Sequence, residues 1–273
     1  MNWSDLKQMG YESLNPIYGE TESVSILRIL HEDLFDKSAS LNSLDFSVFN
    51  NSIRRLIEYE PVQYITGTAY FMGLKIKVNN SVLIPRFETE EVAELAIKKI
   101  GSGKCRVLDI GTGSGCIALA IKKYCPNADV WALDKSKPAL LLAQENAQKL
   151  NLKLNFIQAD FLDQAGWSQL PHNLDLIVSN PPYVAEDELD KMDINTLQYE
   201  PHMALFAGKD PLLFYRKMAE FGKIALVLSG KIIAEINEFH SSQTRMIFDS
   251  TDFHDVQLIK DMNGKDRILY CWR

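Results

Sequence analysis

The sequence predicts an α/β protein in which a small helical bundle and a hairpin linker precede a doubly wound, mostly parallel sheet. Two observations support this prediction. Only helical periodicity occurs in the first 62 residues, whereas strand-like and helical patterns alternate from about residue 86 to the end. The length of 273 residues allows one large domain or two smaller ones. We therefore expect helices to cover both faces of a central sheet.

The amino-terminal segment carries apolar residues at the spacing of helix faces. They form two sets: Leu27, Leu30 and Leu34, and then Phe46, Phe49, Ile53, Leu56 and Ile57. Asn15-Pro16 and the Ser- and Asn-rich residues 38–43 are expected to separate the helices. Residues 1–62 contain ten acidic and five basic side chains, so their surface suits a protein partner better than a nucleic acid. We expect residues 1–64 to form a helical domain that recognises a protein partner.

A short segment with β character connects this bundle to the rest of the chain. Residues 70–72 and 74–78 are strand-like and Asn79-Asn80 favours a turn, which predicts a β-hairpin linker over residues 65–85. Apolar residues at helical spacing predict helices near residues 92–100 and 140–150. Seven strands are expected within residues 86–273, at 105–110, 130–133, 154–157, 174–178, 231–236, 256–259 and 267–271.

Composition and charge narrow the class of protein. The chain carries 29 basic and 36 acidic residues, a formal net charge of -7, which disfavours a broad nucleic-acid surface. No apolar run approaches the roughly 18 residues of a membrane span, and the first residues lack a secretory pattern. We therefore expect a cytoplasmic protein with no membrane attachment. The four cysteines form no C-x-x-C pair and the five histidines are scattered, which predicts free thiols and no metal site.

A glycine-rich turn follows the first predicted strand of the sheet and leads into a helix, as in the ligand-binding turns of doubly wound sheets. It consists of Gly111, Thr112, Gly113, Ser114 and Gly115. A tight turn without a ligand is the alternative. The carboxylate of Asp109 opposes the pyrophosphate of a dinucleotide, whereas the ammonium and sulfonium of S-adenosylmethionine suit it. We therefore expect Asp109 and residues 111–115 to bind S-adenosylmethionine.

Polar and aromatic residues follow the next two strands. Asp134 is placed either to accept hydrogen bonds from the ribose hydroxyls of the cofactor or to cap the helix that follows. Asp160 and Phe161 are placed to hold the adenine, through the carboxylate and through stacking of the ring. Core packing is the alternative for Phe161.

The fourth predicted strand of the sheet ends in Asn180-Pro181-Pro182-Tyr183. The prolines fix φ and remove two backbone donors, while Asn180 adds a carbonyl and Tyr183 an aromatic face. This rigid slot suits a planar NH2 group, whose lone pair is delocalised. The carbonyls of Asn180 and Pro181 can accept both N–H bonds of this group. Its nitrogen lone pair then faces a methyl donor, so orientation and electrostatics supply the catalysis. Residues 180–183 are our candidates for the catalytic and substrate-binding centre, and Asn180 also for cofactor binding.

With these residues in view, the chain resembles the release-factor glutamine N5-methyltransferases over nearly its whole length. The resemblance lies in residues 60–67 (EPVQYITG), 83–90 (LIPRFETE), 111–115, 180–183, 199–201 (YEP) and 261–267 (DMNGKDR). Adenine N6- and guanine N2-methyltransferases share Asn-Pro-Pro-Tyr, whereas the segment around Pro85-Arg86 and the helical amino terminus are specific. The resemblance implies a class I methyltransferase (Rossmann-like) fold in residues 86–273, with S-adenosylmethionine as cofactor.

The resemblance also implies roles for further residues. Arg86, Glu88 and Thr89 are expected to shape the methyl-transfer pocket and bind the substrate. Capping of the following helix is the alternative for Glu88 and Thr89. The chain departs from the family pattern at three positions that concern the partner surface more than the chemistry: Tyr70, Pro211 and Asn237.

The resemblance implies that the chain methylates the glutamine of the Gly-Gly-Gln motif in class I peptide-chain release factors. We expect a monomer whose partner is a release factor, without direct contact with nucleic acid. Two alternatives stay open. A nucleobase methyltransferase, acting on adenine N6 or guanine N2, needs a basic cleft. A non-catalytic adaptor would bind S-adenosylmethionine and dock release factors without modifying them.

Overall fold

Three helices form the amino-terminal part of the protein. The computed structural model describes residues 2–35, 41–185 and 193–273. The first helices are α1 (Trp3–Leu34), α2 (Ser43–Ile57) and α3 (Val62–Thr66). Asn2 and Asn42 begin α1 and α2 as N-caps, because each side chain accepts hydrogen bonds from backbone amides of the first turn. Apolar side chains of all three helices, such as Leu27, Phe49 and Val62, pack into one core.

Two details of this part differ from the sequence prediction. Helix α1 continues through Pro16 and is interrupted at Gly19, whose φ of 75° is costly for other residues. The break therefore lies at Gly19 and not at Asn15-Pro16. Phe46 and Ile57 belong to the predicted apolar face of α2 but are 37% and 44% exposed, since only the stripe of Phe49, Ile53 and Leu56 packs in the core. Residues 38–40 of the other predicted break lie outside the described residues.

The predicted hairpin is present as strands β1 (Thr68–Phe71) and β2 (Leu74–Lys77), which pair antiparallel. Met72 and Gly73 form its turn with positive φ values of 46° and 73°. Asp33 of α1 accepts hydrogen bonds from the hydroxyl of Tyr70 and from Nζ of Lys75, each at 2.8 Å. Tyr70, a departure from the family pattern, therefore joins the hairpin to α1. The division into domains at residues 64 and 85 stays a prediction.

A seven-stranded sheet forms the rest of the protein, and it contains all seven predicted strands. Its strands are β3 (Arg106–Ile110), β4 (Asp129–Asp134), β5 (Asn155–Gln158), β6 (Leu174–Ser179), β7 (Leu226–Glu235), β8 (His254–Lys260) and β9 (Asp266–Trp272). Their order is β5-β4-β3-β6-β7-β9-β8. The first five are parallel, and β9 runs antiparallel to both of its neighbours.

Helices cover both faces of this sheet, which confirms the predicted fold class. They are α4 (Phe87–Ile100), α5 (Cys116–Tyr124), α6 (Lys137–Lys149), α9 (Leu213–Ala225) and α10 (Ser241–Asp249). Two short helices, α7 (Ile194–Tyr199) and α8 (His202–Leu205), lie between β6 and α9 along the chain. Successive strand residues point to opposite faces. Val107 of β3 packs in the core with α4, α5 and α6, whereas Leu108 packs in the core with α9 and α10. The sheet is therefore buried on both of its faces.

Three further features of the described residues are their helix lengths, their possible metal ligands and their cysteines. No helix among them is both long and apolar enough to cross a membrane. No three His, Cys, Asp or Glu side chains among them gather as a metal site requires. The four cysteines are free thiols, and burial raises the pKa of each. These thiols therefore stay protonated at neutral pH.

Gly230 provides a test of the packing between β6 and β7. The register of these strands shifts between Leu174 and Leu176, and a Cβ at position 230 would lie 2.9 Å from the carbonyl oxygens of Leu174 and Val227. Backbone oxygens cannot move aside without disturbing the sheet. We expect Gly230→Ala to lower the free energy of unfolding by about 1–3 kcal/mol in urea denaturation.

Gly103→Ala is the control for this substitution, because a Cβ there meets no atom within 4 Å. It should change the free energy of unfolding by less than about 0.5 kcal/mol. Equal stability of the two variants would contradict the close contact at Gly230.

Candidate active site

The candidate site lies at the carboxyl ends of β3 and β6. The chain passes from β3 through β4 to β5 and then returns to β6 on the other side of β3, which makes these two strands the switch point of the sheet. Ile110 at the end of β3 pairs with Ser179 at the end of β6. The hydroxyl of Ser179 also donates to the carbonyl oxygen of Ile110 at 2.7 Å. This pairing brings the glycine turn next to residues 180–183.

The glycine turn is closed by hydrogen bonds within the protein. Its three glycines have positive φ values of 72°, 55° and 84°, which explains why glycine occupies these positions. The N–H groups of Gly111 and Thr112 donate to the carbonyl oxygen of Leu133, at 2.8 and 2.9 Å. The N–H of Gly113 donates to Oδ2 of Asp134 at 2.9 Å. These donors are therefore engaged and do not form the anion-binding nest that a pyrophosphate needs.

Asp109 lies beneath this turn on β3 and is fully buried. Thr112 Oγ1 donates to its Oδ2 at 2.6 Å. Burial raises the pKa of Asp109 to about 7, although the hydrogen bond from Thr112 acts in the opposite direction. A positive charge close by would lower this pKa and favour the carboxylate. Asp109 itself is enclosed by the protein and does not line the cavity beside this turn, so a ligand there would experience only its charge.

Most residues predicted to bind the cofactor line one cavity, here called the first cavity. They are Gly111, Thr112, Gly113, Ser114, Asp134, Asp160, Phe161 and Asn180. Gly115 is packed against Ala143 instead, since a Cβ there would lie 3.1 Å from that of Ala143. Two cations line the cavity, and each has an acidic partner: Lys135 pairs with Asp160, and Arg86 with Glu200. Among the described residues no cation forms an ion pair with Asp134, although the charge of Lys135 acts on it, so the cavity has acidic character.

The structure distinguishes between the alternatives for Asp134. Ser136, and not Asp134, is the N-cap of α6, because Ser136 Oγ accepts a hydrogen bond from the N–H of Ala139. Asp134 Oδ1 accepts from the N–H of Ser136 at 2.8 Å, while Oδ2 accepts from Gly113. Two backbone donors thus fix this carboxylate at the cavity wall.

Phe161 belongs to the core and also lines the first cavity. It is 2% exposed, and its ring lies 5.7 Å from those of Trp167 and Phe214 between centroids. Core packing is therefore present, and stacking on adenine stays a prediction. Asp160 Oδ1 accepts a hydrogen bond from the N–H of Leu162 at 3.0 Å, so this carboxylate is partly held by its own loop.

A second cavity adjoins the first, and four residues line both of them: Leu83, Arg86, Asn180 and Ala204. Pro181 and Tyr183 line the second cavity, whereas Pro182 and Thr89 line the first. Asn180 therefore stands in a wall that the two cavities share. Glu88, in the first turn of α4, lines neither of them.

Two buried carboxylates, Glu235 and Glu200, support this wall, and neither is among the site residues that the sequence predicts. Asn180 Nδ2 donates to Thr89 Oγ1 at 3.0 Å, and Thr89 donates in turn to Oε2 of Glu235 at 2.6 Å. The hydroxyl of Tyr183 donates to Oε1 of Glu235 at 3.0 Å. Thr89 therefore serves this network and not the cap of α4. An acidic residue at the end of an apolar strand is the signal that points to Glu235.

Glu200 supports Arg86 in a similar way. Its Oε1 pairs with the guanidinium of Arg86, and its Oε2 accepts from the N–H of Ile84 at 3.1 Å. The carboxylate is almost fully buried, with 1% of the side chain exposed. Arg86 is thus held at the wall, between the two cavities.

Comparisons with known proteins identify the family. A family model described as the methyltransferase small domain matches residues 87–208. Release factor glutamine methyltransferase of Bacteroides thetaiotaomicron is 40% identical over 268 residues, covering 94% of this chain and 95% of that protein. The same-named protein of Bacillus subtilis is 35% identical and covers 92% and 91%.

A solved structure supports the fold in addition. A methyltransferase from Pyrococcus furiosus superposes with a TM-score of 0.53 at 19% identity, covering 82% of this chain and 97% of that one. The extent and identity of the sequence matches confirm the resemblance found in the motifs. This chain belongs to the release factor glutamine methyltransferase family.

Proposed function

We propose that this chain methylates the side-chain amide nitrogen (N5) of the glutamine in the Gly-Gly-Gln motif of a class I peptide-chain release factor. The position of Asn180 in the wall between two cavities carries the proposal. A cofactor in the first cavity and a carboxamide in the second would meet at this residue. Family membership supplies the class of substrate.

The first cavity fits S-adenosylmethionine better than a dinucleotide. Backbone donors of the glycine turn are engaged, the two lining cations are paired, and Asp109 lies buried beneath. When bound, this cofactor supplies an electrophilic methyl group on a positively charged sulfonium. Asp134 would accept hydrogen bonds from the ribose hydroxyls with the lone pairs left over by its two backbone donors. Thr112 and Ser114 complete the lining on this side.

The second cavity fits a carboxamide. The hydrogen bond from Nδ2 to Thr89 leaves the carbonyl oxygen of Asn180 as the group that can face a substrate. In the described part of the chain this oxygen accepts no hydrogen bond. Together with the carbonyl oxygen of Pro181, it would hold the two N–H bonds of glutamine, so that the nitrogen lone pair faces the first cavity. Burial raises the pKa of Tyr183, so its phenol stays protonated against Glu235 and presents a neutral ring.

The rest of the chain supports recognition of a protein substrate. We propose that residues 1–64 recognise the release factor, that residues 65–85 link the two parts, and that residues 86–273 carry the chemistry. The chain is acidic, with a formal net charge of -7, which agrees with a monomer that binds a cytoplasmic protein and not a nucleic acid.

Transfer of label tests the substrate directly. The protein with labelled S-adenosylmethionine should label a recombinant release factor, and mass spectrometry should place one added methyl group on the Gly-Gly-Gln peptide. A release factor with glutamate in place of that glutamine is the control and should stay unlabelled. Label found only in RNA or DNA would identify a nucleobase methyltransferase. Tight cofactor binding with no added methyl group would identify an adaptor.

Asn180→Ala tests the reaction centre. We expect kcat to fall by about 100- to 1,000-fold, because the lost acceptor acts most strongly in the transition state. The affinity for S-adenosylmethionine, measured by calorimetry, should change far less. Asn127→Ala removes an exposed amide that donates to the carbonyl oxygen of Ser102, away from both cavities, so it should leave the rate unchanged. Near-normal turnover in Asn180→Ala would refute the role given to Asn180.

Asp134→Ala tests the cofactor site by calorimetry. Loss of hydrogen bonds to a charged acceptor should weaken binding of S-adenosylmethionine by about 1.5–3 kcal/mol, or about 10- to 100-fold. Asp129→Ala is the matched control, because Asp129 lies at the opposite end of the same strand, β4. Equal affinities of the two variants would contradict a contact between Asp134 and the ribose.

A further inference from the structure

We infer that Thr89 and Glu235 are positioning residues that determine which way the carboxamide of Asn180 faces. The inference rests on the proposed function, since it concerns how an acceptor is presented to the substrate amide. Neither residue needs to touch the substrate. Both would act through Asn180, which lines the two cavities.

The hydroxyl of Thr89 has a single hydrogen that it can donate. Thr89 Oγ1 lies 2.6 Å from Oε2 of Glu235 and 3.0 Å from Nδ2 of Asn180. When Glu235 is ionised its carboxylate can only accept, and the hydroxyl hydrogen of Thr89 is then committed to Glu235. The oxygen of Thr89 then has only lone pairs to offer Asn180. A reversed carboxamide would set Oδ1 of Asn180 against an oxygen with no hydrogen left to give.

Glu235 is held as an acceptor by groups from several elements. Tyr183 donates to its Oε1, and Tyr215 of α9 donates to its backbone carbonyl oxygen at 2.9 Å. Burial raises the pKa of Glu235, and the charge of Glu88 adds to this rise. The hydrogen bonds from Thr89 and Tyr183 and the charge of Arg267 on β9 lower the pKa in opposition. The pKa of Glu235 is raised on balance, and the two hydroxyl donors favour its ionised form against the effect of burial.

The position of the network explains why its effect should fall on the substrate side. A reversed Asn180 would direct N–H groups at the N–H groups of the glutamine, which removes an acceptor and adds repulsion. The ribose contact at Asp134 and the glycine turn do not depend on this orientation. Loss of Glu235, which lines neither cavity, should therefore lower kcat and leave the affinity for S-adenosylmethionine almost unchanged. Thr89 lines the first cavity, so its loss should lower kcat by a larger factor than it lowers that affinity.

Substitution of Thr89 by residues of similar size tests the inference. Thr89→Val removes the hydroxyl and should lower kcat on the release factor by about tenfold, equivalent to about 1.4 kcal/mol of barrier. Thr89→Ser keeps the hydroxyl and should recover most of the wild-type rate. Thr251→Val removes a hydroxyl that bonds to the carbonyl oxygen of Phe248, remote from the site, and controls for folding. A defect of Thr89→Val confined to cofactor affinity would overturn the inference.

A double-mutant cycle separates positioning from a general loss of structure. Glu235→Gln is neutral and of equal size; its amide can donate to Thr89 and thereby free the hydroxyl hydrogen for Oδ1 of Asn180. It should also reduce kcat, and the double variant with Thr89→Val should be no slower than Thr89→Val alone. Additive losses of activity in the double variant would overturn the inference, because additivity means that Thr89 and Glu235 act independently and not both through Asn180.

Nuclear magnetic resonance gives a readout that does not require methyl transfer. The side-chain NH2 signal of Asn180, identified by its loss in Asn180→Ala, should exchange slowly with solvent in the wild type and in Thr89→Ser. In Thr89→Val it should exchange fast, and unchanged protection would overturn the inference. Absence of methylation by the wild type would defeat the proposed function alone, while this signal would still report the orientation of Asn180.

Discussion

Two parallel strands, β3 and β6, end at the same level, and the pair formed by Ile110 and Ser179 holds them there. The residues that follow each strand must leave the sheet at this edge because the chain reverses its direction of travel across the sheet between them. The glycine turn and the segment 180–183 are therefore neighbours by topology. Every other element of the site is arranged around this junction, including α4 with Thr89 and β7 with Glu235.

The charge and hydrogen bonding of this site differ from those of phosphate-binding sites at the switch point of other doubly wound sheets. A phosphate site needs free backbone N–H groups and net positive character. Here the N–H groups of Gly111, Thr112 and Gly113 have acceptors within the protein, and Lys135 and Arg86 have acidic partners. The remaining charge is negative. These features agree with a cationic cofactor, and they arise from hydrogen bonds that close the turn on itself.

Local patterns predicted much of this molecule, and tertiary contacts determine the rest. The seven strands and the glycine turn have periodicity or spacing that can be recognised in a single segment. Glu235 and Thr89 are 146 positions apart, so no local pattern relates them. The exposure of Phe46 depends on how much of α2 its neighbour covers, which helical periodicity does not define. The break of α1 at Gly19 reflects its backbone conformation, and Pro16 was the stronger but misleading signal.

Among the residues that the structure describes, four belong to both cavities, so most of each described lining can vary without altering the other. A substitution outside these four positions can therefore reshape one cavity and leave the other unchanged. The shared residues Leu83, Arg86, Asn180 and Ala204 are the exceptions, since a change at any of them alters both cavities at once. This separation would allow binding in one cavity to be redesigned without loss of binding in the other.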